Sequence, residues 1–195
     1  PPDIDEINPG EYGLDFVIKS GRALVWPAFK GSLNRIVDKA VAQPSTEDQL
    51  RQFREMMVNW RVDTSRTIDY LEERQEFSNA DFHYLGMSYG AVYTPIVLVF
   101  EDRFKSAIFL SGGFSPYAPP HSDGIFFLDR IQTPVLMLNG EQDFLIPTES
   151  QEIMFNGLGA SNENKKYVLF KAGHWPLPRN QMINESLDWL DFYEK

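Results

Sequence analysis

The sequence predicts an α/β domain, a mostly parallel sheet with helices covering both faces. Three observations point there. Short apolar runs rich in β-branched and aromatic residues alternate with segments of helical period, turn-forming residues separate the two kinds, and no repeat or low-complexity tract breaks the pattern. With 195 residues, 43% hydrophobic, the chain is long enough to bury one core, and residues 1–195 are expected to form a single domain.

Several classes drop out at once. With 28 acidic against 18 basic residues the formal net charge is −10, and no Lys/Arg cluster offers a phosphate-binding face, so nucleic acid is not an expected partner. The absence of cysteine excludes a disulfide framework, a thiol nucleophile and cysteine-ligated zinc or iron–sulfur sites. The longest apolar stretch, residues 91–100, contains Thr94 and Pro95 and is too short to insert across a bilayer. A soluble protein is expected, with the cytoplasm the favoured compartment. The chain opens Pro-Pro rather than with Met and is expected to be N-terminally incomplete, as part of a larger polypeptide.

Taken in order, Leu14, Val17 and Ile18 share a helical face that Gly21 closes as a left-handed cap. Residues 22–26 read as a short buried strand stopped by Pro27. Thr46 and Gln49 fit a capping box ahead of Leu50, Phe53, Met57 and Trp60 at helical spacing. That pattern continues through Ile68 and Leu71 to about Glu73, as one helix or two. Ser78, Asn79 and Ala80 make a turn, followed by a strand over 81–85, a glycine-flanked turn, a helix over 89–99 and a strand over 106–110. The Pro- and Gly-dense segment 112–124 reads as a surface loop. Beyond it come a strand over 134–138, a helix over 148–158, a strand over 166–170 and a closing helix over 180–193. The expected total is five strands and at least five helices.

The informative motif is Gly86-Met87-Ser88-Tyr89-Gly90, set between an apolar strand and a helical run. A nucleophile lifted clear of a sheet edge needs a sharp, strained strand-to-helix turn, with small residues two before and two after it. The helix that starts there aims backbone N–H groups at the site, so the Tyr89 amide is the candidate oxyanion donor. A serine hydroxyl is a weak nucleophile by itself and demands a histidine base and a carboxylate.

Of three histidines, His83 lies within a strand and reads as structural, while His121 lies in the Pro-rich loop and reads as solvated. His174, in Lys171-Ala-Gly-His-Trp-Pro after the last strand, is the one placed at the strand carboxyl ends where α/β sites gather. Asp143, in Asn139-Gly-Glu-Gln-Asp after the strand 134–138, is the candidate carboxylate, with Glu141 a weaker rival. Ser88, Asp143 and His174 thus follow three different strands, in the order Ser, Asp, His. Met87, Phe114, Phe144 and Trp175 are candidate substrate-binding residues, and Trp26, Phe29 and Tyr117 also lie near predicted strand ends. Glu72, Glu73 and Glu76 read as a solvated helix end, and no metal-ligand spacing is present.

The phrase Leu85-Gly-Met-Ser-Tyr-Gly-Ala91, with Asn139-Gly-Glu-Gln-Asp143 and Ala172-Gly-His174, resembles the dienelactone hydrolase and prolyl oligopeptidase-like branch of the α/β-hydrolases. The likeness runs from about Gly13 to the end, and residues 66–71 resemble the helix before the nucleophile strand. It implies a serine hydrolase that works through an acyl-enzyme with no cofactor, on a small-molecule ester or a short peptide. Dienelactone hydrolases use cysteine, so Ser88 does not carry their lactone substrate across. In that family, strands and an oxyanion-hole loop precede the helix at Leu14. This chain has only about a dozen residues there, so the family's N-terminal strands are expected to be missing, leaving a gap near the middle of the sheet and the second oxyanion donor unassigned. Cleavage of carboxylic esters is the leading expectation. A serine peptidase of the prolyl oligopeptidase-like type and a non-catalytic binding module are the alternatives.

Overall fold

Thr46, itself in an extended conformation, accepts the Gln49 amide with its side chain while the Gln49 side chain accepts the Thr46 amide, the reciprocal capping box that the sequence predicts. From it runs α2 (Glu47–Glu72), one unbroken helix. Its buried positions Phe53, Met57, Trp60, Thr64, Ile68 and Leu71 fall at spacings of four, three, four, four and three, so a single stripe points inward along its length. The computed structural model describes residues 8–32, 35, 46–93, 95–114 and 124–194. These divide into two units, residues 1–78 and 79–195.

In the first unit, α1 (Asp15–Lys19) precedes α2. Leu14, Phe16 and Val17 are buried, whereas Ile18 is exposed, so the inward face is centred one residue from where the sequence puts it. Gly21 sits at φ 89°, the left-handed stop expected of it. Residues 22–26 form no strand, and Val25 and Trp26 are exposed. Their composition favours a strand, but a strand is made by its ladder and its packing. The segment after it is held to α2 instead: Asp63 accepts the Lys30 amide at 2.7 Å and Arg35 at 3.1 Å, and Phe29 lies against Trp60 with ring centroids 6.0 Å apart.

The second unit carries four strands, β1 (Phe82–Met87), β2 (Phe104–Leu110), β3 (Val135–Gly140) and β4 (Lys165–Phe170). All pairs are parallel and the spatial order is β1-β2-β3-β4. The expected fifth strand, over 22–26, is therefore corrected, and no gap interrupts this ladder among the described residues. β3 is buried at every position and β2 at all but one, which a parallel sheet shows only where both faces are covered.

The connections α3 (Tyr89–Val92), α4 (Pro95–Phe100) and α5 (Thr148–Gly157) are crossovers between neighbouring strands. Stepping across the sheet in one direction with right-handed crossovers sets them on one face. The closing helix α6 (Arg179–Tyr193) touches β2 and β3 and covers the other. The helix expected over 89–99 is two pieces, because Pro95 opens α4 as its first residue, where its missing N–H costs nothing. Three 3₁₀ segments, Gln75–Phe77, Gly124–Arg130 and Asn162–Asn164, complete the described elements. Among the described residues, no helix is long and apolar enough to cross a membrane.

Candidate active site

Because β1 to β4 are parallel, the turns that follow β1, β3 and β4 emerge at one edge of the sheet, and these turns carry Ser88, Asp143 and His174. Ser88 lies between β1 and α3 at φ 48°, ψ −107°, a conformation that costs a residue other than glycine roughly 1–3 kcal/mol. Its amide donates to the Leu110 carbonyl at 2.8 Å, and its own carbonyl accepts from Ala91 and Val92, each at 2.9 Å. The strained turn is thus held from both strand and helix.

Strand and helix nearly touch at this point. A Cβ at Gly86 would stand 2.5 Å from the Gly90 carbonyl oxygen and 2.9 Å from the Tyr84 ring, so position 86 needs glycine. Gly90 is different: a Cβ there would meet only the Tyr84 hydroxyl, at 3.9 Å. The steric demand expected on both sides of the serine falls on the first side. Tyr84 also donates from its hydroxyl to the Gly90 carbonyl at 2.7 Å, pinning α3 back onto β1.

The Ser88 Oγ stands 2.7 Å from His174 Nε2, and His174 Nδ1 stands 2.7 Å from Asp143 Oδ2. The Asp143 carboxyl is fully buried, and its second oxygen accepts the amides of Leu145 and Ile146, each at 2.9 Å. Three donors therefore satisfy a charge that burial would otherwise make costly. An ionised carboxylate only accepts, so the imidazole proton sits on Nδ1 and leaves Nε2 free to accept from the serine hydroxyl. The His174 loop passes so close to the end of β3 that a Cβ at Gly140 would lie 2.1 Å from the Gly173 carbonyl oxygen. Glu141, the rival carboxylate, is exposed.

Other candidates separate by environment. Tyr89 opens α3 next to Ser88; its ring lies 4.5 Å from that of Tyr93, and burial, with Tyr93 beside it, pushes its phenol up to about 12. Met87 ends β1 half-buried, Phe144 is 83% exposed beside Asp143, and Trp175 is half-buried beside His174. Phe114 is buried, its amide donating to Ser150 at 3.3 Å. Trp26 and Phe29 belong to the first unit, and Tyr117 and His121 lie outside the described residues. His83 is the structural histidine expected, its Nδ1 2.9 Å from Ser106 Oγ on β2. Among the described residues, no group of three or more His, Asp or Glu gathers as a metal site.

Two supports escaped the sequence. Gln151, wholly buried, donates to the carbonyls of Gly140 at 3.1 Å and Ile146 at 2.7 Å, bracketing the Asp143 turn, and accepts from the Tyr167 hydroxyl at 2.6 Å. Its signal was a polar residue on the same helical stripe as Met154 and Leu158. Ser111, after β2, donates from its hydroxyl to the His174 carbonyl, across a separation no local pattern reports.

Residues 65–187 match the family model described as serine hydrolase (FSH1). The chain belongs to the serine hydrolase (FSH1) family. The matched stretch holds Ser88, Asp143 and His174 and runs through both units. Solved structures with this fold include a cold-adapted esterase from an Arctic intertidal metagenomic library, at 20% identity, TM-score 0.63, 77% of this chain and 66% of that one. An esterase of Pyrococcus furiosus matches at 13% identity, TM-score 0.68, 93% of this chain and 75% of that one. The acylaminoacyl peptidase of Pyrococcus horikoshii matches at 17% identity and TM-score 0.59, over 86% of this chain but 31% of its own. At these identities the likeness is one of fold, the α/β-hydrolase fold that the motifs imply for this FSH1-family chain. No curated protein sequence matches.

Proposed function

We propose that this chain hydrolyses carboxylic esters through an acyl-enzyme on Ser88. The observation that carries the reading is the unbroken relay from Ser88 Oγ to His174 Nε2 and from His174 Nδ1 to Asp143, each link 2.7 Å. In the first half-reaction His174 Nε2 takes the hydroxyl proton as Ser88 Oγ bonds to the ester carbonyl carbon. The tetrahedral oxyanion is held in part by the Tyr89 amide. As it collapses, the carbon–oxygen bond to the alcohol breaks and His174 returns the proton to the leaving oxygen. Water then repeats the attack, with its proton passing through His174, and releases the carboxylic acid and Ser88. Asp143 keeps the imidazole in the tautomer this needs and stabilises the imidazolium. Met87, Phe144 and Trp175, each next in sequence to one of the three, are assigned to the substrate's acyl or alcohol group. The chemistry needs no cofactor.

The test is fluorophosphonate labelling with peptide mass mapping, on wild type and on Ser88→Ala and His174→Ala. The expected result is an adduct on Ser88 that both substitutions abolish; a folded wild type that takes no adduct refutes the reading. Aryl esters assayed beside peptide anilides divide esterase from peptidase, and ester turnover is expected to dominate.

A further inference from the structure

The chain has a second serine in a left-handed conformation, and the mechanism above leaves it unused. Ser111 directly follows β2, has φ 52° and is completely buried. Glycine adopts such a φ freely, and the next two residues are glycines, yet a residue with a side chain stands at the constrained position. The side chain has a job there. Its hydroxyl donates to the backbone carbonyl of His174, 63 residues further on, and its amide donates to the Leu138 carbonyl on β3 at 2.9 Å.

The neighbouring contacts give this bond its meaning. Leu110, one residue earlier, accepts the Ser88 amide at 2.8 Å. A single dipeptide at the end of β2 therefore holds the nucleophile through the Leu110 carbonyl and the base through the Ser111 hydroxyl. β2 lies between β1, which leads into Ser88, and β3, which leads into Asp143, so this dipeptide is at the centre of the edge where the relay assembles. Gly112 adds a further tie, its carbonyl accepting from the Asn139 side chain at 2.6 Å. Asp143 fixes one end of the imidazole ring, but nothing in that bond fixes the peptide from which the ring hangs.

We infer that Ser111 is a positioning residue that sets the His174 peptide so that Nε2 meets Ser88 Oγ. The inference rests on the proposed roles of Ser88 and His174. Glycine at position 111 would satisfy φ but lose the hydroxyl.

The experiment compares wild type, Ser111→Gly and Ser111→Ala for kcat and KM on an aryl ester and for the rate of fluorophosphonate labelling at Ser88, with thermal melts to show folding. The glycine variant removes the hydroxyl and relaxes the backbone; the alanine variant removes only the hydroxyl. In both, kcat and the labelling rate are expected to fall by roughly ten- to a hundredfold with KM unchanged, the loss that an ångström-scale misplacement produces. A structural role alone would lower the melting temperature and leave the folded fraction fully active. Ser111→Cys keeps the shape with a weaker donor and serves if the others do not fold; an intermediate rate is expected. A wild-type labelling rate in any folded variant overturns the inference while leaving Ser88 as nucleophile. A wild type that does not label removes the reading of Ser88 and this inference with it.

Discussion

The asymmetry between the two glycines that flank Ser88 makes a sharp prediction. At Gly86 the added methyl group would stand 2.5 Å from the Gly90 carbonyl oxygen, 2.7 Å from its carbon and 2.9 Å from the Tyr84 ring. Relief requires the Ser88 turn to withdraw by roughly 1 Å, since carbon contacts settle near 3.5–4.0 Å. Overpacking of this kind costs about 1–3 kcal/mol of stability. The same shift separates Oγ from Nε2, a misplacement worth on the order of 100-fold in rate. At Gly90 the methyl group meets only an oxygen 3.9 Å away, and alanine in a helix gains up to about 1 kcal/mol over glycine. Gly86→Ala is therefore expected to lose about two orders of magnitude in kcat/KM on an aryl ester and to melt earlier, while Gly90→Ala keeps its activity within a factor of a few. Equal losses at the two positions, or an unimpaired Gly86→Ala, would refute the steric account of the turn.

Asp143→Asn keeps the volume and the Leu145 and Ile146 amide contacts but turns an acceptor toward His174 into a donor; kcat is expected to fall by roughly 10⁴-fold with little change in melting temperature. Gln151→Leu leaves the Gly140 and Ile146 carbonyls and the Tyr167 hydroxyl without that partner, so denaturant unfolding should register a loss of about 1–3 kcal/mol, with kcat reduced as the Asp143 turn loosens. Thr46→Ala removes the cap of α2 and is expected to cost about 1 kcal/mol by thermal melts. The Tyr89 and Tyr167 phenols rise from 10.0 to about 12, in both cases chiefly through burial. A raised folded value means that their stabilisation is complete below the unfolded value and is lost as pH climbs through the folded one. Melting temperatures should therefore fall between pH 10 and 12, and should fall less in the double Phe variant.

What could be read in advance follows from what is local. The capping box at Thr46 and the helical stripe behind it are local patterns, and α2 follows them. The four strands lie within two residues of their expected bounds because each is a short apolar run between turn residues. That Ser88, Asp143 and His174 come together at one sheet edge is expected from the sequence, because a strand-to-helix turn and two loops after strands are local features with a fixed chain order. Residues 22–26 misled because β-branched and aromatic composition supplies no neighbouring ladder. Pro95 divides a helix that hydrophobicity alone runs together. Ser111 carries no local signal and Gln151 only that of a polar residue on an apolar stripe, because their work is hydrogen bonding to carbonyls that the fold alone delivers. Nothing beside Ser111 in the chain announces His174.

The order β1-β2-β3-β4 also sets when the chemistry can begin. Ser88 and His174 meet across 86 residues, and every strand from the first to the last must be stacked before the relay closes. Parallel pairings form late because each needs a loop closed before any contact rewards it. On the proposed mechanism, Ser88 remains an ordinary alcohol during refolding until β4 docks. Recovery of activity should then lag behind recovery of helical signal, and a partly folded chain should be chemically silent.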